Sequence, residues 1–180
     1  MTEEQRLIAG CINKDINAQR ELYERYAKKM LSVCIRYVCN EDEARDIMHD
    51  GFVRLFDKIE RFDRKGSLES WIHKLFVNIC LENLRKMSKM IFKSANNNNN
   101  ELQIADDSTP DAYDRIEADE LMNLIKELPV SFRSVFNLYA IEGYSHDEIA
   151  VLLGITSSAS RSNYFKARTL LQQKIKSRYK

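Results

Sequence analysis

The 180-residue sequence is poor in residues that interrupt helices, with only 5 glycines and 2 prolines. Such a turn-poor composition favours helices over a β-sandwich or a barrel. Long hydrophobic runs are lacking too, since the longest mostly apolar stretch, residues 149–155, is far shorter than the roughly 20 residues that span a bilayer. The acidic N-terminus leads into no apolar segment of the kind that secretory signals contain. We therefore expect a soluble, cytoplasmic, all-α protein without a membrane span.

The four cysteines lack the spacing of metal sites. Cys11, Cys34, Cys39 and Cys80 stand among apolar neighbours, in neither a CxxC nor a Cys–His arrangement. The closest pair is five residues apart and would diverge on a helix. We expect four reduced, buried thiols, no metal and no cofactor. The motifs of common enzyme sites are missing as well, including a glycine-rich phosphate loop, HExxH and GxSxG, so the chain is not expected to be an enzyme.

Charge is distributed unevenly along the chain, although the formal net charge is only +1. Residues 95–120 carry eight acidic side chains, one basic side chain and a run of five asparagines. Such a stretch has too little apolar surface to offset the entropy cost of ordering. We therefore predict two domains, 1–94 and 118–180, joined by a flexible acidic linker at 95–117. After Glu148 no acidic side chain follows but seven basic ones do, which indicates either a solvated face or a phosphate-binding surface.

Helical periodicity organises the N-terminal domain. Apolar residues recur at intervals of three and four along residues 42–59, so they form one stripe on a helix. The same spacing predicts a preceding helix at 16–38 and a following one at 67–87, with caps at Asn40 and Ser67. Three long helices with apolar stripes can bury one another, and we predict that they form one core.

The C-terminal domain has the layout of a helix-turn-helix. A helix with Tyr139 among its inward residues runs to about Glu142. Ser145 then caps a short helix with Glu148 three residues on, and a longer basic helix follows the turn at Gly154. By itself this layout fits a DNA-binding motif and an ordinary helical corner equally well.

Together these residues resemble an RNA polymerase sigma factor of the extracytoplasmic-function (ECF) group, a small two-domain branch of the sigma family. The resemblance to the fourth conserved region of the family is carried by Leu128-Pro129, Arg133, Val135-Phe136, Glu142-Gly143-Tyr144-Ser145, Glu148-Ile149-Ala150, Leu153-Gly154-Ile155 and Lys166-Ala167-Arg168. The resemblance to the second region is carried by Asp46, Phe52, Arg54, Leu55, Trp71, Asn78 and Arg85. The order and spacing of these fragments cover nearly the whole chain.

The resemblance implies a protein that gives core RNA polymerase its promoter specificity and helps to open promoter DNA. The polar face of the helix at 42–59 would then dock on the polymerase clamp. Acidic side chains on this face suit a basic partner, and an exposed valine supplies apolar contact. The expected polymerase-binding residues are Asp46, His49, Asp50, Val53 and Arg54. Of these, His49 stands where the family commonly has glutamine.

Opening DNA requires capture of bases that have left the stack. The resemblance assigns this role, at the melted −10 element, to the helix at 67–87 and the loop before it. The loop offers basic side chains for phosphates and Gly66 for close backbone approach, and the helix offers a polar face. The expected −10 residues are Arg61, Arg64, Lys65, Lys74, Asn78 and Arg85. Trp71 lies on the apolar stripe, so we expect it in the core rather than against a base.

The second helix of the helix-turn-helix would read the duplex −35 element in the major groove. Helical phase, with Ser160 and Ala167 inward, places its base-reading candidates on the outer face. These are Ser157, Ser158, Arg161, Ser162 and Phe165, and phosphate contacts are expected from Lys166 and Arg168. Arg161 is the candidate for a bidentate guanine contact. The family often has Gly-Thr-Val where this chain has Ser158-Ala159-Ser160, which leaves the target sequence open.

Other interpretations fit parts of the pattern. The main alternative is a helix-turn-helix regulator that binds duplex DNA without polymerase and uses residues 1–94 for sensing or dimerisation. A helical adaptor that binds only proteins would leave the basic last helix without a use. The acidic linker either threads the basic channels of the polymerase or serves as a solubilising tether. From the family we also expect an anti-sigma factor as a partner.

Overall fold

The computed structural model describes residues 2–91 and 118–178, and every regular element in these two ranges is helical. The expected all-α fold is therefore confirmed. In chain order the helices are α1 (Glu3–Ile12), α2 (Ile16–Val38), α3 (Glu41–Lys58), α4 (Leu68–Ile91), α5 (Ala118–Lys126), α6 (Val130–Phe136), α7 (His146–Leu153) and α8 (Ser157–Arg178). None of these helices is both long and apolar enough to cross a membrane.

The chain forms two compact units, a first unit of Met1–Leu84 and a second unit of Arg85–Lys180. The predicted domain boundary at residue 94 and the predicted linker at 95–117 lie outside the described residues. Each unit has its own core.

Polar side chains begin the helices of the first unit. Asn40 accepts a hydrogen bond from the Glu43 N–H, and the Ser67 hydroxyl accepts one from the Ser70 N–H at 3.1 Å. Both predicted caps are therefore confirmed. The structure adds α1, which the three-helix prediction did not include. Its start is fixed by a reciprocal capping box between Thr2 and the residue three positions later, Gln5.

The core of the first unit is built from the apolar stripes of its long helices. Tyr37 from α2, Leu55 from α3 and Phe76 from α4 are fully buried within it. Gly51 permits the closest approach, since a Cβ atom at this position would stand 2.4 Å from the Phe76 ring. The predicted stripes thus pack as expected, and one small residue on α3 makes room for an aromatic ring of α4.

The cysteines follow the prediction with one exception. Cys11, Cys34 and Cys80 are buried, but Cys39 is half-buried, and all four are free thiols. Cys39 ends α2 with a left-handed φ of 59°. The expectation of four buried thiols is wrong at this position, because the chain turns there and leaves the core.

In the second unit, α5 packs against the C-terminal half of α8. Leu124, Ile125 and Leu128 meet Ala167, Leu171 and Ile175 in its apolar core. A buried guanidinium adds a contact between α6 and the end of α5. Arg133 on α6 donates to the carbonyl oxygens of Lys126 (3.1 Å) and Leu128 (2.9 Å). Those carbonyls lie at and just after the C-terminal end of α5, where carbonyl groups have no partners within the helix. Arg133 therefore ties α5 to α6.

The helix-turn-helix has the predicted caps. The Ser145 N–H donates to the Glu148 carboxylate at 2.8 Å, and the Ser145 hydroxyl accepts from the Glu148 N–H. The Ser145 N–H, together with the Ser145 hydroxyl, holds the pKa of Glu148 below its ordinary value. Gly154 ends α7 with a φ of +68°, a conformation that suits glycine. Both ends of the first helix of the motif are therefore set by local sequence.

One predicted inward residue is misplaced. After α6 the chain continues as a π-helical turn, Asn137–Ile141, closed by a hydrogen bond from the Glu142 N–H to the Asn137 carbonyl. A π-turn holds an extra residue, so it shifts the helical phase that places Phe132 and Val135 inward. Tyr139 is consequently 39% exposed and lies beside α7 instead of in the core.

Candidate nucleic-acid interface

The outer face of α8 carries a row of exposed polar, basic and aromatic side chains. Helix α8 buries Ser160, Ala167 and Leu171 on its inner side. The structure places five of the predicted −35 residues in exposed positions, namely Ser158, Arg161, Ser162, Phe165 and Arg168. Phe165 is 46% exposed between the two arginines, so the row combines positive charge with an apolar surface.

Two other predicted −35 residues also serve contacts within the second unit. Ser157 is half-buried, and its hydroxyl donates to the carboxylate of Asp147 on α7. Lys166 is half-buried, with its ammonium group 6.0 Å from the centre of the Phe132 ring. Their side chains are partly committed to holding α8 in place, unlike the exposed row.

Part of the basic C-terminal end of α8 pairs with α5. Lys174 bonds to Glu127, and the hydrogen bond from Lys174 holds the pKa of Glu127 below its ordinary value. Arg178 lies 3.7 Å from Glu120. Lys174 and Arg178 thus compensate acidic groups in and just after α5.

A hydrogen-bonded aromatic cluster joins the two helices of the helix-turn-helix. The Nδ1 atom of His146 lies 2.9 Å from the hydroxyl oxygen of Ser160. The His146 ring stacks on Tyr139, with centroids 4.3 Å apart, and Tyr164 lies against both rings. An open groove of about 650 Å³ runs from this cluster to Arg161. Sequence analysis missed the cluster, and the serine at position 160 was its visible signal.

On α4, the predicted −10 residues Lys74, Asn78 and Arg85 are all exposed. Their spacing of four and seven residues places them on one side of the helix. Trp71 is half-buried with its ring 5.7 Å from Phe62, so the core covers only part of the indole. The structure thus gives α4 an outer polar stripe beside an apolar face.

The loop before α4 presents its basic residues to solvent. Arg61, Arg64 and Lys65 are exposed, and the Lys65 N–H donates to the Asp63 carboxylate at 3.1 Å. The positive backbone angle in this loop belongs to Arg64, at φ 61°. Gly66 has no neighbouring atom within 4 Å of a Cβ at its position, so space is open around it.

The outer face of α3 combines acidic residues with one apolar side chain. Asp46, His49, Asp50 and Val53 are exposed, and Val53 is 63% exposed. The fifth predicted polymerase-binding residue, Arg54, is half-buried and donates to the Glu82 carboxylate of α4 at 2.7 Å. The α3 face is therefore fixed to α4 by a charged hydrogen bond at its edge.

Two family models match the chain in sequence order. Sigma-70 region 2 matches residues 22–90, and Sigma-70, region 4 matches residues 118–171. The first match covers most of α2 to α4, and the second covers α5 to most of α8.

Several characterised proteins are similar to the chain. It is 26% identical to the ECF RNA polymerase sigma factor SigE of Mycolicibacterium smegmatis over 154 residues, which are 84% of this chain and 59% of SigE. It is 24% identical to the ECF RNA polymerase sigma-E factor of Haemophilus influenzae over 184 residues, covering 96% of this chain and 95% of that protein. With SigW of Bacillus subtilis the identity is 25% over 177 residues, covering 90% and 91%.

A solved structure has a similar fold. The sigma factor RpoE from Bartonella quintana, crystallised with the anti-sigma factor NepR, matches with a TM-score of 0.51 and 18% sequence identity. The match covers 87% of this chain and 96% of RpoE. Because regions 2 and 4 follow one another and ECF sigma factors align along nearly the whole sequence, the chain belongs to the ECF group of the sigma-70 family.

Proposed function

We propose that the chain is a transcription initiation factor that binds core RNA polymerase, directs it to specific promoters and assists promoter opening. The observation that carries the proposal is the succession of sigma regions 2 and 4 in one chain. A regulator that acts without polymerase is not favoured, because the match of residues 22–90 to Sigma-70 region 2 supports a polymerase-binding role for this part of the chain.

The α3 face is the proposed polymerase-binding surface. Its exposed carboxylates, Asp46 and Asp50, suit a basic partner and would raise the rate of association. Val53 lies among them as the apolar group that a partner can bury. The hydrogen bond from Arg54 to Glu82 holds this face against α4, so Arg54 supports the surface as well as contributing to it.

The outer stripe of α4 and the loop before it form the proposed −10 surface. The cations of the loop are suited to phosphates, and the Asn78 amide can donate to and accept from the edge of a splayed base. Lys74 and Arg85 flank Asn78 along the same helix. This arrangement suits a single strand whose backbone is held while a base is read.

Helix α8 is the proposed −35 reader. Its exposed row lies near the N-terminal end, where a recognition helix faces base edges in the major groove. Arg161 carries a guanidinium group, which can donate to guanine O6 and N7 at the same time. Phe165 is suited to the methyl group of a thymine, and Arg168 to a phosphate.

The proposal extends to location and regulation. A factor that works on polymerase and promoter DNA is expected in the cytoplasm, acting by binding and without catalysis of its own. The structurally similar RpoE was crystallised with the anti-sigma factor NepR. We propose that this chain also binds an anti-sigma factor, which would hold it inactive.

Transcription in vitro tests the proposed function. The purified chain is mixed with bacterial core RNA polymerase and a pool of genomic fragments, and transcript starts are mapped. We expect co-purification with core polymerase and a set of starts that disappears when the chain is omitted. Saturable duplex binding by the chain alone, without any binding to core polymerase, would overturn the proposal in favour of an independent regulator.

A further inference from the structure

The hydrogen bond between His146 and Ser160 joins the first turn of α7 to the N-terminal part of α8. The two atoms, Nδ1 and Oγ, are 2.9 Å apart across 14 residues of sequence. Ser160 is fully buried and is the residue directly before Arg161. The contact therefore acts on α8 at the point where its exposed row begins.

Aromatic packing fixes the orientation of the His146 ring. Tyr139 from the π-helical turn lies nearly parallel to it, with an interplanar angle of 11° and centroids 4.3 Å apart. Tyr164 from α8 lies 5.9 Å from the His146 ring and 4.5 Å from the Tyr139 ring. Because three elements contribute one ring each, the plane of the imidazole cannot tilt without losing the stack.

The polar character of this contact is unusual for its position. The other inward residues of α8, including Ala167 and Leu171, are apolar or make apolar contacts. A buried hydroxyl lowers stability unless it has a partner, so His146 makes serine compatible with burial. In return, a hydrogen bond is directional, whereas apolar packing tolerates rotation of one helix against another.

We propose that His146 is a positioning residue for promoter recognition: through Ser160 it fixes the rotation of α8 about its own axis and so directs Arg161 and Phe165. The inference rests on the proposed role of α8 as the −35 reader. His146, on α7, thus determines which bases α8 contacts, although His146 does not contact DNA.

The test is a double-mutant cycle on the holoenzyme, using a promoter recovered by the transcription assay. His146→Phe keeps a stacking ring and removes the nitrogen, and Ser160→Val removes the hydroxyl. We expect each single variant to weaken binding to the −35 duplex about tenfold and to flatten its preference over a duplex with one substituted base pair. The double variant should recover most of the affinity, because removing both polar partners leaves no buried group unpaired. Its base preference should stay flat, because apolar packing alone does not fix the rotation of α8. His146→Asn, which keeps a polar atom near the Nδ1 position, should retain most of the base preference.

Two controls separate the possible failures. Arg161→Ala tests the role of α8: if it leaves −35 binding unchanged, the proposed function of this helix is wrong. If Arg161→Ala weakens binding but His146→Phe changes neither affinity nor base preference, the positioning inference is overturned. It is also overturned if the single variants lose affinity only in proportion to lost helical circular dichroism, or if the double variant, which lacks the hydrogen bond, regains the base preference.

Discussion

The first unit and the second unit are each stabilised internally by a different kind of contact. Among the described residues, the first unit has a core of large apolar side chains such as Tyr37, Phe76 and Leu55, packed closely enough that Gly51 is needed. The buried polar side chains, Arg133, Ser134, Asn137 and Ser160, all belong to the second unit. Its short helices offer less apolar area, and directional hydrogen bonds fix their angles. Volume changes should therefore damage the first unit, and loss of hydrogen-bonding groups the second.

The largest expected effect is loss of volume in the first unit. Phe76→Ala should lower the free energy of unfolding by about 3–5 kcal/mol, because it removes a fully buried ring. The unfolding transition can be followed by the fluorescence of Trp71, the single tryptophan of the chain, which lies in this unit. A loss below about 1 kcal/mol would contradict the described packing.

Gly51 provides a matched test of the same packing. Gly51→Ala should destabilise the wild-type chain, because its Cβ would stand 2.4 Å from Phe76. In a Phe76→Leu background the same change should stabilise, since alanine favours a helix by about 1 kcal/mol over glycine. An equal effect in both backgrounds would show that the Phe76 ring does not limit the space.

In the second unit, the strongest effect is expected at Arg133. Arg133→Met keeps much of the apolar stem but leaves the Lys126 and Leu128 carbonyls without their donor, at an expected cost of about 1–3 kcal/mol. Amide hydrogen exchange should accelerate in α5 and α6. The unfolding transition of the first unit, followed through Trp71, should keep its midpoint. The exposed variant Arg168→Met is the control and should leave exchange in α5 unchanged.

Recognition should respond to Arg161 more than stability does. Arg161→Ala is expected to cost about 1–3 kcal/mol of discrimination at one base pair of the −35 element and to leave core-polymerase affinity intact. Arg168→Ala should weaken binding to all duplexes alike and reduce its salt dependence. If core binding fell equally with Arg161→Ala, the placement of Arg161 on the DNA face would be wrong.

Polymerase binding should depend on the apolar group of the α3 face. Val53→Asp is expected to lower core affinity about tenfold, because it places a charge where the partner buries an apolar group. Ile16→Asp, a change at a residue 73% exposed elsewhere in the first unit, is the control. Equal affinities for the two variants, measured by titration of labelled core polymerase, would remove Val53 from the interface.

The smallest effect concerns the thiols. Burial, with the nearby Glu21 and Asp15 carboxylates, raises the pKa of Cys11 to about 11, and a hydrogen bond with Cys34 raises the pKa of Cys80. In the unfolded chain these thiols therefore lose their protons at a lower pH than in the native chain. The free energy of unfolding should consequently fall as pH rises above 9. At pH 8 only Cys39 should react quickly with a thiol reagent in the native chain. Fast modification of all four thiols would contradict their described burial.

Local signals predicted much of this structure. The Ser145–Glu148 capping box and the end of α7 at Gly154 depend on residues a few positions apart, and both are visible in sequence. Helix α1 also has a local signal, the box between Thr2 and Gln5, which was overlooked. The exposure of Arg161 and Phe165 follows from helical phase once the inner face of α8 is known.

The features that sequence analysis missed are set by tertiary contacts. The π-helical turn depends on how the chain after α6 meets α7, and it moves Tyr139 out of the predicted stripe. The His146–Ser160 contact joins residues 14 positions apart, and the Lys174–Glu127 pair joins residues 47 positions apart. No period in the sequence marks such pairs. This is why the second unit, which relies on them, was predicted less completely.

The proposed division of roles, in which α4 opens the promoter and α8 recognises it, is tested most directly by the permanganate reactivity of promoter thymines. Holoenzymes carrying Asn78→Ala or Arg161→Ala are compared with the wild type at concentrations that saturate the promoter. We expect Asn78→Ala to bind but to leave the −10 thymines less reactive, and Arg161→Ala to need more protein but then to open them fully. Normal opening with Asn78→Ala, together with loss of opening at saturation with Arg161→Ala, would contradict this division of roles.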